Sequence, residues 1–426
     1  SVADFFYQIL EKNNIPVASI GTLGIRYRKK YIRTSLTSPD IITLHKNLEK
    51  LKKNKIDNVI IEASSHGLDQ NRLDGLKFDI GIFTNLSHDH LDYHKNMKNY
   101  LNSKLYLFKN LIKKEGHIIA DENIPEAQKI KKILIKKNIN LSLIHNESNG
   151  IQLVSHRFEK EKQILEIKFK KAKYKIYLNL IGKIQVKNIL MAIIAANNSG
   201  IEFKKILKIL PRITSVEGRL EKIGKIHNNS KVILDYAHTP AALESALSNL
   251  KEQFPFNKIN LIFGCGGDRD FKKRSLMGKI AEKYSNEIYL TDDNPRNEKP
   301  FEIRNEIKKG IKNKRIHEIP DRKKAIQEAV KNLKTGDILL VAGKGHEKIQ
   351  DYGKKRTFFS DQKVILSSIR AKNKFLSKNI KLNIIQEQSQ VNLSKKILIK
   401  DASINSKLIK KNDIFFAIKG KNLDGN

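Results

Sequence analysis

Short apolar runs broken by polar turns recur along the chain, and their spacing predicts strands alternating with helices. "NVIIEAS" near residues 58–64 and "FDIGIFTNL" near 78–86 are too short for buried helices, so they predict buried parallel strands that each end in a polar turn. "HIIAD", a helix from about Pro125 to Lys137 and "LSLIH" continue the pattern. Residues 151–181 alternate with period two and predict antiparallel strands. Helices near 186–198 and 202–209 follow, and Pro211 sits at a domain boundary. Beyond it, "KVILDYA", "INLIFGCGG", "NEIYLTDD" and "DILLVAGKG" predict strands ending in polar or glycine turns, with helices starting near Thr239, Lys273, Phe301 and Asp321. This second set predicts a doubly wound α/β domain. A Lys/Ser-rich stretch near 371–395 reads as a linker, and the residues after it are too few to build a core of their own.

Composition narrows the function classes. A chain of 426 residues with 39% hydrophobic content supports two or three domains. The formal net charge of +37 would suit a nucleic-acid or acidic-membrane binder. The excess is carried by 67 Lys against 15 Arg and is spread from end to end, however. Base-reading surfaces lean on Arg and on stacking aromatics, and here aromatics are 7% with no Trp. The charge therefore reads as a solvated face that also attracts anionic substrates. A single cysteine, Cys265, excludes an intramolecular disulfide and a Cys-rich zinc site. No apolar run approaches the ~20 residues of a membrane span, and no signal-peptide pattern opens the chain, so a cytoplasmic protein is expected. The first residue is Ser, and "SVADFFYQIL" reads as the inside of an amphipathic helix, so the chain is expected to begin partway through a gene product.

The chemistry-bearing residues fall where predicted strands end, which is where open α/β sheets bind ligands. "IEASSHGLDQNRL" places Glu62 at such an end, where a carboxylate can hold Mg²⁺ or simply cap a helix. "TNLSHDHLDYH" (84–94) packs three His and two Asp into one turn, a cluster that also suits a transition metal. "GCGGDRDFKKRSLMG" and "AGKGHEKIQ" are glycine turns that let backbone approach a ligand, without the G-x-x-x-x-G-K-[ST] spacing of a phosphate loop. "ILDYAHTPAAL" brings Asp235 and His238 to another strand end, with Thr239-Pro240 opening a helix. "LTDDNPRNEKP" holds Asp293, Asn294 and Arg296 on a turn stiffened by Pro295. Each turn alone has the plain alternative of a tight strand-to-helix connection.

Taken in order, "SSHGLDQNR", "FTNLSHDHLDYH", "DYAHTP", "GCGGDRD", "DNPR" and "GKGHE" resemble the motifs of the Mur ligases over residues 1–370. The resemblance implies an α/β fold in which a central ATPase-type domain (1–210) is followed by a Rossmann-like carboxy-terminal domain (211–372). It implies an ATP-dependent acid–amino-acid ligase of peptidoglycan precursor synthesis, working through an acyl phosphate. Glu62 and His90 would ligate Mg²⁺, and Lys104 matches a lysine that is carbamylated and helps hold a second Mg²⁺. Thr37, Ser38, Ser64, Gln70 and Arg72 match contacts to a UDP-sugar substrate, and Arg219, Asp235 and His238 match positions near ATP. Arg269, Asp293, Asn294, Arg296, Gly343 and Glu347 match the residues that read the incoming amino acid. The "DNPR" form accompanies meso-diaminopimelate, added to UDP-N-acetylmuramoyl-L-alanyl-D-glutamate. The far end of that molecule carries a carboxylate for an arginine and an ammonium for an acid.

The chain departs from the family pattern at Glu217, where Pro is usual, and at Ile184 and Gln185, where Phe-Asn is usual. The family's phosphate loop and UDP-binding amino-terminal domain are expected upstream of Ser1, and without that loop the chain is expected to turn over little. Residues 373–426 read as a linker and the start of a second Mur ligase amino-terminal domain, which would fuse this enzyme to the next of its pathway. The alternatives are a folylpolyglutamate synthetase-like ligase and a basic nucleic-acid binder.

Overall fold

The computed structural model describes residues 1–86, 90–137, 139–145, 150–159, 161–312, 316–378, 401–403 and 413–415. A first sheet contains β1 (Val17–Gly21), β2 (Gly24–Tyr27), β3 (Lys30–Ile32) and β4 (Asn58–Ile61) in the order β3-β2-β1-β4. Only β1 and β4 in it run parallel, pairing Ile20 with Ile61. A second sheet contains β5 (Phe78–Ile82), β6 (Ile112–Asp121), β7 (Asn140–Ile144), β8 (Gly150–Glu159), β9 (Lys162–Phe169) and β10 (Ala172–Leu178). Strands β5 to β8 are parallel and β8 to β10 form the antiparallel run that the period-two pattern predicts.

The third sheet has the order β11-β12-β16-β13-β14-β15, from β11 (Glu221–Lys222), β12 (Lys231–Asp235), β13 (Ile259–Phe263), β14 (Glu287–Leu290), β15 (Ile316–Glu318) and β16 (Ile338–Ala342). All are parallel except the short β11, so this is the doubly wound arrangement expected after Pro211. A hairpin of β17 (Ile349–Asp351) and β18 (Arg356–Phe358) follows, and near the end Asp401–Ser403 pairs in parallel with Asp413–Phe415 as β19 and β20.

The helices of the first half are α1 (Val2–Lys12), α2 (Ile41–Lys53), α3 (Ser65–Asp69), α4 (Leu91–His94), α5 (Met97–Tyr106), α6 (Ala127–Lys137), α7 (Ile184–Asn198) and α8 (Phe203–Ile209). Those of the second half are α9 (Pro240–Gln253), α10 (Lys272–Tyr284), α11 (Pro300–Lys308), α12 (Arg322–Asn332) and α13 (Asp361–Lys378). Sequence-coded caps fix several starts: Thr239 accepts from Ala242 N with Pro240 in the first turn, and Asp321 accepts from Lys324 N. Helix α7 is apolar nearly all round, because it packs between α1 and strands of the second sheet, and Leu190, Met191 and Ile193 are wholly buried. Truncating one of them, as in Ile193→Ala, costs about 2–5 kcal/mol.

The linker expected near 371–395 is corrected in its first part. Helix α13 runs through Lys378, and Ile365 and Ile369, four residues apart, are buried against Val232 and Leu339. Packing of those turns before residue 371 starts the helix, and Ala, Lys and Leu, which favour helix, carry it into the Lys/Ser-rich stretch. Residues 379–400, and most of the expected second-enzyme start, lie outside the described residues. Among the described residues no helix is long and apolar enough to cross a membrane.

Candidate active site

Because β1 and β4 are parallel neighbours, Thr22 and Glu62 leave them side by side. The Thr22 backbone N–H and hydroxyl both donate to Glu62 Oε2 at 2.7 Å. Burial acts to raise the Glu62 carboxyl, whereas the Thr22 hydrogen bonds and the Arg219 guanidinium act to lower it. Ser38 Oγ donates to the Glu62 carbonyl at 2.8 Å and accepts from Ser64 N at 3.0 Å. Ser64 in turn caps α3 through Gly67 N. Arg72 donates to the Ser38 carbonyl at 3.0 Å and grips the Gln70 side-chain oxygen. Gln70 donates to the Tyr93 hydroxyl at 3.1 Å, and that hydroxyl donates to Asp69 at 2.9 Å. Thr37 Oγ1 lies 3.2 Å from Thr22 Oγ1. Thr37, Ser38, Ser64, Gln70 and Arg72, scattered over the sequence, thus form one polar rim around Glu62.

The turn after β5 contributes His90, which takes a left-handed φ of 56° at the start of α4. Its ring meets His66 edge to face at 5.0 Å, and His66 lies 4.2 Å from Tyr93. Ser87, His88 and Asp89 of the same motif lie outside the described residues. Lys104, on α5, donates to the Asn85 carbonyl at 2.7 Å and lies 4.8 Å above the Tyr100 ring. Among the described residues no three His, Cys, Asp or Glu side chains gather as a metal-holding group. The donor set at Glu62, a charged carboxylate among hydroxyls, is one that suits a hard oxygen-seeking cation.

In the second half the strand-end turns lock together. Asn294 Nδ2 donates to Glu347 Oε2 at 3.0 Å, so the turns after β14 and β16 are joined. Asn294 is 9% exposed and Asp293 7%. Gly343 takes φ +112°, and a Cβ there would sit 2.5 Å from Asp293 Oδ2, so glycine is what lets the acid approach. Arg296 has φ 53°, its N–H donates to the Asp351 carbonyl of β17 at 3.0 Å, and its guanidinium donates to the Gly267 carbonyl at 2.5 Å. Arg269, the remaining residue assigned to this pocket, stands exposed on the turn after β13.

Asp235, at the end of β12, accepts from Leu220 N at 2.7 Å and Ala237 N at 2.8 Å, and burial raises its carboxyl. It thereby ties the loop of residues 216–221, which carries Arg219, to the sheet. Arg219 of that loop stacks its guanidinium 4.7 Å over the Tyr236 ring, and His238 Nδ1 lies 2.9 Å from the Tyr236 carbonyl oxygen. The Tyr236 hydroxyl donates to Glu347 Oε1 at 3.2 Å. The Arg219 guanidinium also acts to lower the Glu62 carboxyl. Gln185, one of the departures from the family pattern, is buried and donates to the Arg219 carbonyl at 3.3 Å, so it steadies the same loop.

Several residues of the site carried no assigned role in the sequence. Thr22 had no visible signal, because its partner lies 40 positions away. Arg322 is fully buried and makes a two-point ion pair with Asp361, at 2.8 and 2.7 Å, while donating to the Ala342 carbonyl just before Gly343. Arg274 is buried between Glu298 and Glu306 and reaches the Gly266 carbonyl at 3.2 Å. Lys344 stood in a quoted motif, and its burial could not be read from it.

Two successive α/β units with polar turns at their strand ends are the architecture of a Mur-type ligase. The Mur ligase middle domain matches residues 1–196, and the Mur ligase glutamate ligase domain matches residues 218–345. The chain belongs to the Mur ligase family. It is 40% identical to the UDP-N-acetylmuramoyl-L-alanyl-D-glutamate–2,6-diaminopimelate ligase of Rickettsia bellii, over 87% of this chain and 78% of that protein. The enzyme of the same name from a Chelativorans species is 38% identical, over 87% of this chain and 76% of its own length. A solved structure of a ligase of that name superposes with a TM-score of 0.63 at 30% identity, covering 87% of this chain and 76% of that one. A folylpolyglutamate synthase from Mycobacterium tuberculosis gives the same TM-score at 15% identity, which shows a shared fold alone.

Proposed function

We infer that the protein joins meso-diaminopimelate to UDP-N-acetylmuramoyl-L-alanyl-D-glutamate at the expense of ATP, in peptidoglycan precursor synthesis. A carboxylate oxygen of the nucleotide-sugar dipeptide attacks the γ-phosphorus of ATP, and ADP leaves. The amine of the incoming amino acid then attacks the acyl carbon of the acyl phosphate. The tetrahedral adduct loses a proton and expels phosphate, leaving the amide. Thr37, Ser38, Ser64, Gln70 and Arg72 hold the UDP-sugar. Arg219, Asp235 and His238 line the nucleotide side, where Asp235 fixes the loop that carries Arg219. Mg²⁺, held by Glu62 and His90 with Lys104 once carbamylated, would offset the negative charge that the two reactants share. As an ammonium Lys104 is a donor, and it becomes a ligand only after its amine adds CO₂ and loses a proton. The domain limits 1–210 and 211–372, and a cytoplasmic location where these soluble substrates occur, belong to the same reading.

The observation that carries the choice of amino acid is the joined pair of turns at Asn294 and Glu347, with Asp293 and Arg296 on the same rim. An acid and a guanidinium there suit the far end of diaminopimelate, which is itself zwitterionic. Lysine would leave Arg296 without its carboxylate. Amino-acid-dependent ADP release by the full-length protein tests this. Diaminopimelate should stimulate release, and lysine and glutamate should not. Equal stimulation by glutamate would reject the assignment.

A further inference from the structure

We propose that Lys344 is the positioning residue of the amino-acid pocket, holding Asn294 and Glu347 from behind in the orientation that meets the substrate. The proposal rests on the reading of that pocket given above.

Lys344 Nζ is wholly shielded from solvent, yet it has an acceptor for each of its three protons. These are the Ile349 carbonyl at 2.7 Å, Asn294 Oδ1 at 2.9 Å and Glu347 Oε2 at 3.3 Å. Its backbone turn is supplied by Gly343 and Gly345, both at positive φ, so the side chain is free for another task. Asn294 Oδ1 accepts a second hydrogen bond from Asp351 N at 3.0 Å. With two donors on the oxygen, the amide has one orientation left, and its Nδ2 must face Glu347. Glu347 is therefore fixed on three sides, by Lys344, Asn294 and the Tyr236 hydroxyl, while about a third of its side chain, 34%, stays open. A carboxylate open in front and backed by a buried cation is aimed rather than neutralised. It can receive a substrate ammonium without first being drawn out of position. Without Lys344, the Asn294 amide is free to turn over and Glu347 to swing.

The test is steady-state kinetics of the full-length protein with Lys344→Met and Lys344→Arg, varying diaminopimelate, the UDP-linked dipeptide and ATP in turn. Lys344→Met should raise the KM for diaminopimelate about 10- to 100-fold, as loss of a charge-assisted hydrogen bond does. The other two KM values should stay within about twofold, since neither substrate is read by these groups. Lys344→Arg keeps the charge but not the three-acceptor geometry, and should fall between. It carries the same test if Lys344→Met does not fold. Equal rises in all three KM values, a loss confined to kcat, or failure of both variants to fold would make Lys344 merely structural and overturn the proposal. Absence of diaminopimelate-dependent turnover in the unaltered protein would instead overturn the reading on which it rests.

Discussion

Replacing Arg296 by alanine and, separately, by glycine distinguishes what its side chain does from what its backbone endures. The side chain is anchored by the Gly267 carbonyl, and the N–H by the Asp351 carbonyl. Its φ of 53° costs a residue with a Cβ about 1 kcal/mol, which those anchors offset. Alanine removes the guanidinium and keeps the strain. Losing a charge-assisted pair with the substrate carboxylate costs about 1–3 kcal/mol, or roughly a 5- to 150-fold fall in kcat/KM for diaminopimelate. Lysine has no carboxylate at that end, so its kcat/KM should stay within about threefold. Glycine loses the same substrate contact but relaxes the backbone, and should unfold at a higher urea concentration than the alanine variant, by about 1 kcal/mol. A coupled ADP-release assay with each amino acid reads the first effect, and urea titration followed by circular dichroism reads the second. An alanine variant that discriminates as well as the parent refutes the pocket assignment. A glycine variant less stable than the alanine one refutes the backbone argument.

Breaking the buried Arg322–Asp361 pair with Asp361→Asn should cost about 3–5 kcal/mol of stability in urea, because a guanidinium is left uncompensated in the core. Glu62→Gln should lower kcat by at least about 100-fold, whereas Thr22→Val, which removes one of the two Glu62 hydrogen bonds, should mainly raise the Mg²⁺ concentration needed for half-maximal rate. Burial is the main cause that lowers the pKa of His117, His156 and His346 below the ordinary 6.5. The unfolded chain then binds more protons just below pH 6.5, so these groups' contribution is full above that pH and is lost as pH falls toward their depressed values. Thermal unfolding followed from pH 7.5 downward should show the midpoint dropping below pH 6.5, and His346→Gln should lessen the drop.

How much was legible depended on whether a signal was local. The strand ends were, because an apolar run and the polar turn after it are neighbours in sequence, and so Glu62, Asp235, Asp293 and Gly343 all lie where they were expected. The rim around Glu62 could be named only through the family resemblance, since Ser38 and Arg72 meet across 34 positions. Thr22 and Arg322 were not legible, because nothing near either residue betrays a partner brought in by sheet pairing or helix packing. The β17–β18 hairpin, which braces Arg296 and Asn294, is only three residues long on each side, too short for alternation to show. Helix α13 carries Ile365 and Ile369 into the core and continues to Lys378, inside the stretch whose Lys/Ser composition suggested a linker.

In the proposed reaction an oxygen of the dipeptide carboxylate leaves with the phosphate. The most direct measurement uses UDP-N-acetylmuramoyl-L-alanyl-D-glutamate labelled with ¹⁸O in its carboxylates, turned over with ATP and diaminopimelate by the full-length protein, with the released phosphate analysed by mass spectrometry. An acyl phosphate requires one ¹⁸O in each phosphate formed. Phosphate free of label, with amide still accumulating, would contradict it.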